Sequence, residues 1–596
     1  MPSSGGTGDR VHVRFTTEKD VGITEFVNVA INRFAGTFKH RITDFQVTEI
    51  GQDGLPASLT SLQAPPLPAS SSSHDLVEST ANLRRLLGDE AMETLQSWVE
   101  SSARGDKVEL LSEPMADKAQ RSELHSLIRI VFEGALESTT VENRVRIFPK
   151  KGGGNQNRQN RGQLWRDMGF DYCKFVLYKE NRDTIDAVNQ VCRMLHLSPK
   201  SVQVAGTKDR RGATSQWTTA FRVTADRLEK LSNNLQQIKM GNFSYCKNNL
   251  NLGDLLGNQF KIALRHVTAK SEDVEQAIDS LRTQGFINYY GLQRFGTGSV
   301  PTHEVGKLLL RSQWKEAVDL ILSPKENDLP NMSLAKQKWH DERDASASLK
   351  LLPKAALAEH SILSYFSKGG SRTTDYLNAI SNIPRSLRVL YAHAYQSHIW
   401  NHVASSRIKL GRELLVGDLV LDRSLPSTVE SNPAEQSDDV EVVDPEGGDL
   451  ADLNKNIAVR VLRTKEECDT STIYDVVLPL PGNDITYPEN LREVYQTMLE
   501  RDGFDMGSRD VFNSAIKDYS LPGGYRTLLC KPTDVSWNLA RFGEDSEQLI
   551  LTDVDRLKAN VLPHSDGANC ALILNFTLPP SSYATMALRE VMDVND

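Results

Sequence analysis

Hydrophobic and polar positions along this chain alternate between two periods. From Phe38 to Ile50, Phe45 and Val47 alternate with Gln46 and Thr48, the period-two pattern of a strand. Between Thr184 and Leu197 the period changes to that of a helix: Ile185, Val188, Cys192 and Leu195 share one face, Asp183 or Thr184 stands at the cap position, and Pro199 lies just beyond the end. A short strand at Val202–Val204 and a loop from Gly206 to Gly212 follow. Trp217, Thr219, Phe221 and Val223 then alternate with Thr218, Ala220 and Arg222, predicting a half-buried strand. A strand at Phe260–Arg265 leads into a helix with the stripe Val274, Ala277, Ile278 and Leu281, ended by Gly285. The C-terminal region repeats the pattern, with a strand over Ala571–Leu578, a Pro579-Pro turn and a short helix from Tyr583 to Met592. Helices and strands alternating at short range predict an α+β fold.

Three stretches break this pattern. Residues 51–134 begin Pro/Ser/Ala-rich (Leu62-Gln-Ala-Pro-Pro-Leu-Pro-Ala-Ser-Ser-Ser-Ser-His74) and turn helix-like between Leu83 and Val99, which predicts an inserted module. Residues 150–163 combine glycines with positive charge and no acids. They suit either a flexible loop near phosphates or a plain solvated loop, and residues 1–21 are expected to be flexible as well. Residues 430–452 are acidic and lack aromatics, the composition of a disordered insertion; without them the net charge of −9 nearly vanishes, so that charge does not argue against a nucleic-acid partner. At 596 residues the chain exceeds one ordinary core, so two or more domains are expected. No run of about 18 apolar residues and no signal-peptide pattern occurs, which predicts an intracellular protein with no membrane association. The six cysteines are scattered singly, as reduced thiols would be.

Two segments could carry chemistry. Gly206-Thr-Lys-Asp209 is a glycine-entered turn in which a carboxylate follows Lys208 and precedes Arg210 and Arg211. Such a field favours the ionised acid, leaving Asp209 as a nucleophile or base while the cations hold phosphates; an exposed hairpin with incidental ion pairs is the other reading. Asn288-Tyr-Tyr-Gly-Leu-Gln-Arg-Phe-Gly296 packs amides, aromatics and Arg294 together. These groups could stack a flipped base, read its edge and meet a phosphate, or they could be ordinary core. His398 and His402 stand four apart without a nearby Glu or Cys ligand pattern and predict no metal site. No P-loop or Rossmann glycine pattern exists, so no nucleotide cofactor is expected.

With those residues in view, the chain resembles the TruD family of RNA pseudouridine synthases. The family pattern G-x-K-D-x-x-A-x-T-x-Q corresponds to Gly206, Lys208, Asp209, Thr214 and Gln216, and N-Y-x-G-x-Q-R-F-G to Asn288 through Gly296. Asp44-Phe-Gln-Val-Thr-Glu49, Phe175-Val-Leu-Tyr-Lys-Glu-Asn-Arg-Asp-Thr184 and Leu252-Gly-Asp-Leu-Leu-Gly-Asn-Gln-Phe260 also fit. Ala394 to Asn401, Tyr474 to Gly482, Gly524-Tyr-Arg526 and Tyr583 to Met586 resemble the longer eukaryotic branch. Gly212 departs from the pattern, standing where the family usually has alanine, a change expected to loosen the turn.

The resemblance implies a discontinuous catalytic domain over residues 22–300 and 516–596, built on a mixed, mainly antiparallel sheet and interrupted by an α/β TRUD domain over 301–515, with RNA in the cleft between them. It implies Asp209 as the catalytic carboxylate, attacking C1′ or assisting a glycal route. Tyr290 is implied to stack on the flipped uracil, Asn288 to support the site, and Lys208, Arg210, Arg211 and Arg294 to steer phosphates. It further implies a monomer that needs neither cofactor nor metal and is located in the nucleus with a cytoplasmic pool. Its substrates would be uridine 13 of tRNA and, for the eukaryotic branch, other tRNA positions, small nuclear RNA and mRNA. Two rival readings are a catalytically idle RNA-binding or RNA-chaperone protein of the same fold, against which Lys208-Asp209 argues, and a methyltransferase, against which the missing glycine-rich cofactor loop argues.

Overall fold

The computed structural model describes residues 16–593 apart from 68–71, 101–107, 116, 133–134, 142, 150–163, 166–167, 297–299, 326–327, 354–355, 423–456, 509–511 and 563–564. The basic loop 150–163, the acidic insertion 430–452 and most of the N-terminal segment 1–21 therefore lie outside the described residues.

The main sheet has eight strands: β1 (Phe45–Gly51), β2 (Tyr172–Glu180), β3 (Val202–Val204), β4 (Ala213–Phe221), β5 (Ile238–Cys246), β6 (Leu255–Leu264), β7 (Thr533–Phe542) and β8 (Asn569–Leu578). Their order is β7-β8-β6-β1-β4-β2-β5, with β3 paired to β4. Only β1 and β4 run parallel, which makes the sheet mixed and mostly antiparallel, as expected. Phe45, Phe260 and Phe576, from β1, β6 and β8, form a ring-on-ring row, with centroids 6.0 and 5.4 Å apart. Each alternates inward on its strand, and burying such rings supplies much of the drive to pair these strands.

Two sequence expectations shift. The strand read from Phe38 begins at Phe45, because Asp44 accepts from the Arg41 amide in a short 3-10 turn and its carboxylate is bidentate with the buried Arg265, just past the end of β6. Helix α1 (Thr184–Leu195) is capped by Asp183, but its buried face is Thr184, Ala187, Val188, Val191 and Cys192, while Ile185 is 41% exposed. The helix is rolled so that a polar residue, Thr184, points inward.

Residues read as one insertion, 51–134, divide differently. Residues 57–61 lie on the main sheet, with the Ala57 amide bonded to Glu49 and Leu59 packed with Val176 and Tyr178. The helices Ser72–Leu87, Asp89–Glu100 and Lys118–Val131 cover a three-stranded sheet and enclose a separate core that runs from Leu83 to Ile147, past residue 134.

After Val300 the chain is mainly helical. Helix α2 (Thr302–Leu310) crosses the 25-residue α3 (Arg385–Lys409) so closely that a Cβ on Gly306 would lie 1.8 Å from the Tyr391 carbonyl oxygen. The apolar core is continuous from the sheet rings into these helices, and includes Phe45, Val305, Trp400 and Leu574.

Candidate active site

The loop between β3 and β4 carries Asp209, and four anchors hold its backbone. Lys179, near the end of β2, donates to the carbonyls of Lys208 (2.9 Å), Asp209 (2.8 Å) and Arg182 (2.7 Å). Thr184, turned inward by the roll of α1, accepts from the Lys208 amide at 3.0 Å and donates to Gln216. Gln216 in turn donates to the Gly206 carbonyl at 2.7 Å, and the Asn181 amide donates to the Gly212 carbonyl at 3.1 Å. The motif residues Thr184 and Gln216 thus act on the loop rather than on a ligand. A loop with its buried carbonyls satisfied in this way holds its side chains in fixed positions.

Gly212 does not loosen the turn. A Cβ there would lie 2.7 Å from the Phe45 carbonyl oxygen and 2.9 Å from its ring, so this chain needs glycine for space where the family usually has alanine.

The Asp209 carboxylate retains a tenth of its exposure, and its Oδ2 accepts from the Lys39 ammonium at 2.5 Å. That ammonium also lies 3.9 Å from the centroid of the Phe45 ring, a cation–π contact on its other side. Lys39 takes up a left-handed conformation, φ 53°, uncommon for lysine and held here by the tertiary contacts of its side chain. Sequence reasoning missed this residue. It stands 170 positions from Asp209, and the only hint of it is the basic run Lys39-His-Arg41 before the D-F-x-V-x-E block.

The remaining predicted residues separate into two groups. Arg210 and Arg211 are exposed beside the carboxylate, where a phosphate could reach them. Lys208, expected to steer phosphates, is not: its side chain is 2% exposed and its ammonium meets the fully buried Glu49 carboxylate at 2.7 Å, an ion pair without well-aligned hydrogen-bond geometry, so here it faces inward. Glu49 is fixed from its other oxygen by the Trp217 amide at 3.1 Å. Arg294 is also buried, 2% exposed, with its guanidinium 5.2 Å from the Tyr290 ring, and is equally withdrawn from phosphates.

Asn288 and Tyr290 belong to a closed cluster built from distant blocks. Asn401 of α3 bonds both the amide and the carbonyl of Tyr290, at 2.9 and 3.0 Å. Arg526 donates to the Asn288 carbonyl and side-chain oxygen, each at 2.8 Å, and to the Ser581 carbonyl at 2.7 Å. Its guanidinium stands 4.2 Å from the Tyr290 ring centre, and Trp400 and Tyr583 meet that ring edge-on. Tyr290, expected to stack on the flipped uracil, is 1% exposed and packed against all three of these side chains. Asn288 bonds Thr527 and Arg526, not Asp209. These contacts explain why the blocks around residues 288, 401, 526 and 583 occur together in one chain.

Comparison with known proteins agrees with the geometry. The family model for tRNA pseudouridine synthase D (TruD) matches residues 156–591. Multisubstrate pseudouridine synthase 7 of Schizosaccharomyces pombe is 40% identical over 97% of this chain and 90% of its own length. The human pseudouridylate synthase 7 homolog is 36% identical over 97% of this chain and 81% of its own. A solved TruD structure from Methanosarcina mazei has the same fold, with a TM-score of 0.55 over 97% of this chain and 98% of that one at 19% identity. A clamped aspartate loop on a mixed sheet, the ordered motif blocks and these relatives together place the chain in the TruD family: it is a pseudouridine synthase, and its substrate is RNA.

Proposed function

We propose that Asp209 is the catalytic carboxylate and that the enzyme isomerises uridine 13 of tRNA, together with uridines at other tRNA positions, in small nuclear RNA and in mRNA. The observation that carries the reading is the disposition of Asp209: its carbonyl is fixed by Lys179 and its loop by Asn181 at Gly212, its Oδ2 is held by Lys39, and the side chain still reaches solvent. Holding one oxygen leaves Oδ1 to approach C1′ of a uridine extruded from its stack. The N1–C1′ bond breaks, the uracil turns, C5 bonds to C1′, and the C5 proton is lost while N1 gains one, so the reaction is redox-neutral. Both a C1′ ester and a glycal route fit this placement. Arg210 and Arg211 would steer the flanking phosphates. The range of RNAs follows the family resemblance and the name of the Schizosaccharomyces pombe relative. Residues 301–515 are proposed as the inserted TRUD domain, with RNA bound between it and the sheet domain.

The test is to map pseudouridine in transcribed tRNA after incubation with wild-type protein and with Asp209→Ala. Product from the wild type alone supports the assignment. Product from Asp209→Ala at the wild-type rate would remove Asp209 from the mechanism, and RNA binding without product in the wild type would favour an idle RNA-binding protein.

A further inference from the structure

Lys179 is fully buried on β2, the strand between β4 and β5, and the chemistry described above makes no use of its charge. Its ammonium has three N–H donors and no acceptor, and all three are used on carbonyls: Arg182, Lys208 and Asp209. A neutral amine has two donors and a lone pair. It could serve two of those carbonyls, and its lone pair would then face the third oxygen at under 3 Å, a repulsive contact. Two of the three oxygens belong to the peptide units on either side of the Asp209 Cα–Cβ bond, so the arrangement of that backbone depends on a proton.

The surroundings define what opposes the loss of that proton. Across the sheet, Lys179 faces Thr214 on β4 and Ile238 on β5, both uncharged. From the loop come Asp209, itself paired with Lys39, and Lys208, itself paired with Glu49. From the entry to α1 come Asp183, engaged in capping, and Asp186, paired with the Arg182 side chain. On its own strand, the Glu180 carboxylate accepts from Tyr178. Asp209 and Asp183 favour the charged lysine, but burial outweighs them and brings its pKa down to about 7, well below the ordinary 10.5.

We infer that Lys179 is a positioning residue for the isomerisation: its ammonium form holds the Asp209 peptide in its productive place, and losing the proton releases it. This rests on Asp209 being the catalytic carboxylate. The other anchors, Thr184, Gln216 and Asn181, keep the loop attached, so release displaces the carboxylate without unfolding the site. The sign follows directly: the active form is the protonated one, so activity is present at low pH and falls as pH rises through the Lys179 pKa.

The experiment measures single-turnover rates between pH 6 and pH 9 on transcribed tRNA carrying tritium at uridine C5. Wild type is expected to show an alkaline fall. Lys179→Met is expected to lose about 100-fold in kcat, the cost of a displacement of about 1 Å, with RNA affinity and KM unchanged and the alkaline fall absent. Lys179→Arg, charged throughout this range, is expected to regain part of the rate and to show no fall either. An alkaline fall that persists in Lys179→Met, or a Lys179→Met rate within about twofold of wild type, overturns the inference. If Lys179→Met does not fold, hydrogen exchange on the wild type decides. Amide protection in peptides spanning residues 205–213, corrected for the chemical exchange rate, should decline with rising pH, and constant protection overturns the inference. Asp209→Ala run in parallel keeps the two readings apart, since activity in that variant sinks the Asp209 assignment and leaves the exchange data to judge Lys179.

Discussion

Lys208 lies next to the proposed catalytic residue, and its neighbour Arg210 is exposed to solvent, yet its ammonium is inside the protein against Glu49. Replacing Lys208 with methionine keeps the length of the side chain and removes the charge. At 2.7 Å and an effective dielectric of about 20 the attraction removed is about 6 kcal/mol, part of which only offsets the cost of burying the two charges. What remains is an uncompensated carboxylate, so the net destabilisation should be about 3–5 kcal/mol. Adding Glu49→Gln to Lys208→Met removes the stranded charge while retaining an oxygen for the Trp217 amide, and should recover most of the stability. Urea unfolding followed by tryptophan fluorescence measures these differences. RNA binding supplies the independent arm. Removing a cation that binds a phosphate lowers the slope of log K against log salt by about 1, and removing a buried strut leaves it unchanged. A Lys208→Met protein of unchanged stability whose salt slope falls by about one would refute the placement of this side chain.

Other perturbations follow from the same geometry. Gly212→Ala should destabilise by about 1–3 kcal/mol, because its Cβ meets a backbone carbonyl that cannot swing aside, and it should slow catalysis by moving Phe45 and with it Lys39; thermal melting and single-turnover rates check both, and a change under about 0.5 kcal/mol would contradict the clash. His303 and His398 are stacked at 4.3 Å inside the helical region, and burial takes their pKa values down to about 4 and about 2 from 6.5. Each therefore favours protonation of the unfolded chain as pH falls below 6.5, which should cost about 2 kcal/mol of stability per histidine between pH 7 and pH 5; His398→Leu should flatten that dependence in urea titrations, and an unchanged pH dependence would count against a buried neutral imidazole. Arg526→Lys keeps the charge but cannot span Asn288 and Ser581 with a planar fork, so a destabilisation of about 2 kcal/mol or more is expected in the same titrations.

Period-two and helical spacing located β6, β8 and α1 because their apolar faces are set by short-range alternation. The same spacing misjudged which face of α1 is buried, since Thr184 is drawn in by partners on the loop and on β4 rather than by hydrophobicity. It also ran the first strand back to Phe38, because the ion pair that ends it joins Asp44 to Arg265, far along the chain. Motif blocks marked Asp209 and the Asn288–Gly296 segment, but not which of their cations face solvent: Arg211 is exposed and Arg294 buried, a distinction created by Trp400, Arg526 and Tyr583 packing around Tyr290 from other parts of the sequence. Lys39 and Lys179 stayed hidden for a related reason. Their partners are a carboxylate and three carbonyls, all but that of Arg182 supplied by distant loops, and neither position has any periodicity to reveal it.

The position of β8 bears on how the protein is made. Residues 569–578 do not edge the sheet; they fill the place between β6 and β7. Until that segment leaves the ribosome, the backbone groups along one side of β6 have no partner and Phe260 lacks the ring of Phe576. Until then the nascent chain carries the earlier strands with an open seam, the kind of exposed strand that chaperones shield and that pairs wrongly when crowded. Because the whole of residues 265–568 separates β6 from its partner β8, closing the sheet is a long-range event in folding.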